Sequence, residues 1–347
     1  MVVCVVKYVF LYLRINIMKL IGHETTKSQI SRAVISAKLR NSQAPHMLFA
    51  GVAGCGKTSM ARYVSRGSRA DFLPVAPQEF KDYNSILNIL DRLNDTGYDE
   101  KGNRVEKIKP TILFIDEVHR MPITGEELLG IAMEDFKIVS PKGKGYYWIP
   151  YFTVIGATTD DGSLSKPFRE RFKLRFVFEP YDNDEVMQII RLHSKRRDID
   201  IDITPRAIRA LARRGRGIPR IVIGYLERSR DLCLSIGGQN IITSSIVEEM
   251  FTESGIDQEG LTPIERKILK TLYETDKPIG LDNLSIIANE APKTLSTSIE
   301  PFLIRKGLVI RGSKGRMITK KGIDYIEQTS KGGKKARKEI EINYIRT

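Results

Sequence analysis

Eight residues constrain this chain more than any others: Gly51-Val52-Ala53-Gly54-Cys55-Gly56-Lys57-Thr58. They spell G-x-x-x-x-G-K-T, preceded by the apolar run Met47-Leu48-Phe49-Ala50 and followed by the helix-compatible Ser59-Met60-Ala61-Arg62-Tyr63-Val64. Strand, glycine-rich loop and helix in that order make a phosphate cradle. Glycines let several backbone N–H groups face one phosphate, and the helix N-terminus adds partial positive charge. At average residue frequencies the pattern arises by chance in about one chain in a hundred of this length. The predicted ligand is a nucleoside triphosphate with Mg²⁺, bound by Gly51, Gly54, Cys55, Gly56, Lys57, Thr58 and Ser59. Lys57 would neutralise β- and γ-phosphate oxygens, and the Thr58 hydroxyl would ligate Mg²⁺.

A second element follows about sixty residues on, in Thr111-Ile112-Leu113-Phe114-Ile115-Asp116-Glu117. A continuous apolar run reads as a strand buried on both faces of a parallel sheet. Ligands of open α/β sheets bind beyond the carboxyl ends of strands, which is where the two acids fall. Asp116 is expected to hold Mg²⁺ and Glu117 to act as general base toward water. The next apolar strand, Phe152 to Ala157, ends in Thr158-Thr159-Asp160, where a hydroxyl would reach the γ-phosphate or the attacking water; a plain Thr/Asp turn explains the same letters. Pro167-Phe168-Arg169-Glu170-Arg171-Phe172 offers guanidinium groups suited to transition-state phosphate oxygens, although two arginines on a surface helix are also ordinary solvated residues.

Length and pattern give three folded parts. Residues 18–179 alternate strands with helices, hence an α/β parallel sheet; 180–255 read as all-helical; 256–328 read as helices closed by a basic hairpin, the winged-helix pattern. Thr204-Pro205 is a helix start with Thr as N-cap. The polar stretch Asp95 to Lys109 reads as a loop. Arg213, Arg214 and Arg216 read as solvent-facing and carry no assigned role. Residues 1–17 are apolar but interrupted by Lys7 and Arg14, too short for a membrane span and without a small-residue cleavage site. Met18 is the expected start, with 1–17 an artefact or disordered, and a cytoplasmic location with no membrane partner is expected. Cys4, Cys55 and Cys233 are few, widely spaced and without a metal or disulfide pattern. The net charge is +14, and residues 305–347 hold 13 Lys and Arg against 4 Asp and Glu, a net of +9. That balance favours a polyanion, with Arg311, Lys314 and Arg316 meeting phosphates or the minor groove and residues 329–347 forming a basic tail.

Taken together, several strings resemble the RuvB family of AAA+ ATPases. They are Gly51 to Thr58, Ile115-Asp116-Glu117-Val118-His119-Arg120, Ala132-Met133-Glu134-Asp135-Phe136, Ile155-Gly156-Ala157-Thr158-Thr159 and Arg213 to Ile221. Pro278 to Leu284, Ile299 to Ile304 and Lys314 to Thr319 extend the resemblance across residues 20 to 326. It implies an AAA+ sheet domain, a helical lid and a C-terminal winged helix, and a motor that drives branch migration of Holliday junctions by translocating duplex DNA through a ring. By position, Lys57 and Thr58 look like Walker A, Asp116 and Glu117 like Walker B, and Thr159 like sensor 1. Arg171 looks like the arginine finger acting on a neighbouring subunit's ATP, and Arg220 like sensor 2. Ile21 and Gly22 stand where the family places its adenine-side segment. The implied partners are duplex and four-way junction DNA, a homo-oligomeric ring (a hexamer), a RuvA-like junction-binding protein and a resolvase.

Four departures from the family pattern accompany the resemblance. Residues Arg14 to Leu20 lack the usual Arg-Pro segment, Asp160 replaces a common Arg, and Lys173 replaces a usual Gly. The stretch Lys137 to Tyr151 is also shorter than the family's hairpin, which contacts RuvA. Two other functions share parts of the pattern: a clamp-loader or helicase-loader ATPase, and a nucleotide-switched DNA-binding protein without motor activity.

Overall fold

The computed structural model describes residues 20–94, 97–98, 104–105, 110–139, 145–236, 240–275 and 277–329. The expectations about the start at Met18, residues 1–17, Cys4 and the basic tail beyond Thr329 fall outside them. Within the polar stretch 95–109, Gly97–Tyr98 pairs antiparallel with Arg104–Val105. The chain divides into two compact units. The first comprises the residues up to Leu192 together with Gly217–Ile223; the second comprises His193–Arg216 and the residues from Gly224 on.

In the first unit five strands form one parallel sheet. They are β1 (Met47–Gly51), β2 (Asp71–Val75), β3 (Thr111–Ile115), β4 (Phe152–Thr158) and β5 (Leu174–Phe178), in the order β2-β3-β4-β1-β5. The apolar runs form buried strands because successive side chains serve opposite faces. Ile112 and Phe114 pack with Met47, Phe49, Ile155 and Ala157 against helices α1 (Glu24–Leu39) and α2 (Lys57–Ser68). Leu113 and Ile115 pack with Leu48, Phe152 and Val154 against α3 (Tyr83–Asp91) and α4 (Ile123–Asp135). The order matters for chemistry. It sets β4 beside both β1 and β3, pairing Ala50 with Thr158 and Ile115 with Gly156. The phosphate loop, the Asp116-Glu117 pair and Thr159 therefore leave the sheet along one edge.

A buried histidine ties this sheet to α4. His46 Nδ1 accepts the Val154 N–H at 2.8 Å, and Nε2 lies 3.0 Å from the Met133 carbonyl, which fixes the Nε2–H tautomer. Burial lowers its pKa from 6.5 to about 4, helped by Lys173 and opposed by the Met133 bond. The folded pKa lies below the unfolded one, so the unfolded chain binds the proton more tightly. His46 thus contributes stability that is full above about pH 6.5 and is lost as pH falls from there through about 4. The total is about 3 kcal/mol, of which about 2 kcal/mol disappears between about pH 7.5 and 5. Urea unfolding of wild type and His46→Gln across this range should show that loss in wild type and not in the variant.

The second unit opens with the predicted helix Pro205–Arg214, capped by Thr204, whose hydroxyl accepts the Ala207 N–H at 3.3 Å. The all-helical expectation for 180–255 is corrected in one place: Asp202–Ile203 pairs in parallel with Ile241–Ile242. Two residues are too short to leave a period-2 signature. Arg214 and Arg216 are also corrected, because neither faces solvent. Arg214 gives both terminal nitrogens to Glu248 and stacks over Phe251; Arg216 does the same with Glu265 and Phe302. Sequence shows the charge of an arginine but not its long-range partner.

The C-terminal part of this unit packs helices Pro263–Thr275, Leu281–Ala288 and Glu300–Arg305 around Leu269, Leu272, Leu303 and Val309. The predicted hairpin is Val309–Gly312 paired antiparallel with Gly315–Ile318. Arg311 and Lys314 are exposed on it. Arg316 is not, and this corrects its assignment to DNA. Its guanidinium is buried and bonded to both carboxylate oxygens of buried Glu300 at 2.9 Å. A bidentate buried partner occupies the fork that a phosphate would need.

Candidate active site

Gly51, Gly54 and Gly56 all adopt positive φ, at 134°, 83° and 91°. Position 51 accepts only glycine, because a Cβ there would lie 2.3 Å from the Phe178 carbonyl on β5. Helix α2 starts at Lys57 with Gly56 as its N-cap and no side-chain cap. Its first N–H groups, Thr58 and Ser59 among them, are thus left for an outside anion. Lys57 is buried, and its ammonium donates to the Gly51 carbonyl at 2.6 Å and the Val52 carbonyl at 3.1 Å. Burial pulls its pKa below the usual lysine range, while Glu117 and Asp116 act the other way through their charge. Those two acids are therefore close enough to feel the lysine.

Glu117, the second residue beyond β3, holds a left-handed backbone, φ 50°. A non-glycine residue in that conformation costs about 1 kcal/mol, and such strain gathers at functional sites. The conformation turns its carboxylate toward the end of β4. Thr159 donates its hydroxyl to Glu117 Oε2 at 2.9 Å and its N–H to the same oxygen at 3.3 Å. Asp116 is exposed, and its Oδ1 accepts the Glu117 N–H at 3.1 Å.

Arg220 also reaches this loop. A Cβ on Gly54 would touch Arg220 Cβ at 2.9 Å and Ile218 Cγ2 at 3.0 Å, so the turn carrying Arg220 packs directly on the phosphate loop. On its other side, Gly22 (φ 74°) sits against Tyr181, and Ile21 is half-buried beside it. The His23 ring lies 4.7 Å from both Phe178 and Tyr181, with Nε2 3.4 Å from the Cys55 carbonyl. Burial lowers the His23 pKa, which favours the neutral ring, whose Nε2–H can donate to that carbonyl. Cys55, a residue of the loop itself, is fully buried. Neither His23 nor Tyr181 stands out in the sequence; His23 directly follows the Ile21-Gly22 pair, and that adjacency is the available signal.

The structure thus gathers Gly51 to Ser59, Asp116, Glu117, Thr159, Gly22 and Arg220 in one place. Arg171, at the end of the short helix Lys166–Glu170, instead forms an ion pair with Glu134 on α4, and both are substantially exposed. Arg311 and Lys314 stand in the second unit. The Mg²⁺ expectation can be tested against the donor set. Among the described residues no group of three or more His, Cys, Asp or Glu could hold a metal. Mg²⁺ prefers one or two protein oxygens together with phosphate oxygens, so a single carboxylate, Asp116, and the Thr58 hydroxyl fit it.

A parallel sheet in this strand order, a phosphate loop, an acidic strand end and a following helical and winged-helix part define a P-loop ATPase of the AAA+ class. Three family models match in succession: the Holliday junction DNA helicase RuvB P-loop domain at residues 13–177, the RuvB AAA lid domain at 181–257 and the RuvB C-terminal winged helix domain at 258–327. The chain belongs to the RuvB family. The Holliday junction branch migration complex subunit RuvB of Fervidobacterium nodosum is 36% identical over 314 residues, covering 88% of this chain and 86% of that one. The subunit of Streptococcus thermophilus is 35% identical over 314 residues, covering 88% and 89%. The solved structure of the Thermotoga maritima RuvB Holliday junction branch migration motor aligns at 32% identity with a TM-score of 0.74, covering 88% of this chain and 95% of that one. The matches run through the winged helix, so the loader and switch alternatives are not favoured. Among the described residues no helix is long and apolar enough to cross a membrane.

Proposed function

We propose that this chain is an ATP-hydrolysing motor that drives branch migration of Holliday junctions by moving duplex DNA. The observation that carries this reading is the convergence of Lys57, Asp116, Glu117, Thr159 and Arg220 around one phosphate loop, in a chain that also bears an exposed basic wing. Thr58 and Asp116 would hold Mg²⁺, which lowers the charge repulsion of the phosphates when bound. Glu117 takes the proton of the attacking water, Lys57 and Arg220 stabilise phosphate charge, and Thr159 orients Glu117. Arg171 serves the neighbouring subunit's ATP in a homo-oligomeric ring, a hexamer as in the family's pattern. The hairpin Lys137–Val139 with Tyr146–Trp148 exposes Tyr146 and Trp148, a surface for a RuvA-like protein; a resolvase completes the proposed partners. The proposed location is cytoplasmic, and the parts proposed are 18–179, 180–255 and 256–328.

The test is ATP hydrolysis alone, with linear duplex and with four-way junction DNA. DNA should stimulate wild type, and hydrolysis indifferent to either DNA would overturn the motor reading. Arg311→Ala with Lys314→Ala should weaken duplex binding uniformly across sequences and lower the salt slope by about 2. An unchanged slope would remove the wing from the DNA surface.

A further inference from the structure

His119 is absent from the set of residues given a role above, yet its ring stands inside the hydrolytic centre. It lies in the turn Val118–Arg120 that follows Glu117. Its Nδ1 is 3.3 Å from Glu117 Oε2 and 2.9 Å from Thr158 Oγ1. Thr158 is fully buried and its Oγ1 also accepts the Asp160 N–H at 2.9 Å. The ring is therefore held against the end of β4 by a side chain that is itself fixed.

The carboxylate beside Nδ1 favours the tautomer that carries its hydrogen there. A lone pair on Nδ1 would stand 3.3 Å from a carboxylate oxygen, which is repulsive. With a hydrogen on Nδ1, the ring donates to Thr158 Oγ1 at 2.9 Å and carries that hydrogen within reach of the Glu117 Oε2 charge, 3.3 Å from the nitrogen. Two hydrogen bonds, from the Thr159 hydroxyl and the Thr159 N–H, then hold Oε2, and the His119 Nδ1–H adds electrostatic attraction from 3.3 Å. The other oxygen, Oε1, is left to receive a proton.

We propose that His119 is a positioning residue for ATP hydrolysis, which with Thr159 pins Oε2 of the general base and presents Oε1 to the attacking water. In the step it serves, the water oxygen bonds to the γ-phosphorus, the bond from that phosphorus to the β–γ bridging oxygen breaks with its electron pair leaving on ADP, and the water proton passes to Oε1. His119 transfers nothing; it holds the acceptor in line. The inference rests on Glu117 being the base.

The experiment measures steady-state ATP hydrolysis and binding of a fluorescent ADP by the full chain as wild type, His119→Ala, His119→Asn, His119→Gln and Glu117→Gln. Asn can place an N–H near the Nδ1 position, whereas the longer Gln places it near Nε2. His119→Ala should lower kcat roughly tenfold to a hundredfold, as a displaced base does, with KM for ATP and ADP affinity within about twofold. His119→Asn should recover most of the rate and His119→Gln little. Adding His119→Ala to Glu117→Gln should change nothing further. The inference is overturned if His119→Ala keeps a kcat within about twofold of wild type, if kcat and KM move together, or if Asn and Gln rescue equally. Glu117→Gln separates the two layers. If it hydrolyses ATP like wild type the base assignment itself falls; if it is inactive while His119→Ala is normal, only the role of His119 falls.

Discussion

Replacing Glu117 by Gln should leave nucleotide affinity within about twofold and reduce kcat for ATP by about 10²- to 10⁴-fold. The two side chains have the same shape, and an amide oxygen can still accept from the Thr159 hydroxyl that now bonds Glu117 Oε2. What is lost is the basicity that takes the water proton, which acts only in the transition state. The effect therefore belongs in kcat rather than in KM. Binding rests on Lys57 and on the uncapped start of α2, whose hydrogen bonds and backbone the substitution leaves in place. Hydrolysis rates alongside fluorescent-nucleotide binding check the expectation, and a Gln variant that turns over at the wild-type rate would remove Glu117 from its role.

The second large effect concerns Arg171. Its substitution by Ala should lower kcat by about 10³- to 10⁵-fold, the range for an arginine that neutralises charge on a transferring phosphoryl group. Arg171 is paired with Glu134, and the two side chains are 34% and 57% exposed. An ion pair this exposed contributes about 0.2 to 1 kcal/mol, so the pair can hold the guanidinium in place and still release it cheaply. If Arg171 serves a neighbour's ATP, its loss and the loss of Glu117 fall in different sites. Mixing inactive Arg171→Ala protein with inactive Glu117→Gln protein should then restore hydrolysis, because an intact Glu117 in one subunit meets an intact Arg171 from the next. A mixture as inactive as its components would place Arg171 in its own subunit's site or outside catalysis.

The phosphate loop, the acidic strand end and the sheet were legible because each is written in consecutive residues. Four to eight neighbours carry the strand, the glycine turn and the helix start, and local geometry suffices to build them. The same holds for the Thr204 cap and the wing hairpin. What failed to show in the letters was the fate of individual polar side chains. Arg311 and Arg316 face each other across the hairpin and look alike in sequence, yet one is exposed and the other is buried on Glu300. Arg214 and Arg216 likewise pair with acids more than thirty residues away.

By itself, then, the sequence determined the class of the fold, the position of the phosphate loop and the identity of the two strand-end acids, since short-range periodicity and backbone freedom specify those. Tertiary structure alone decided how the acids are aimed. It took the strand order β2-β3-β4-β1-β5 to bring Thr158 and Thr159 beside Glu117, some forty residues away, and to close His119 over the same oxygen. It likewise took folding to seat His46 between β4 and α4 and to set Arg220 on Gly54. The physical reason is common to all of these. A hydrogen bond or contact between distant residues depends on which strands lie side by side, and no local pattern of residues encodes that neighbourhood.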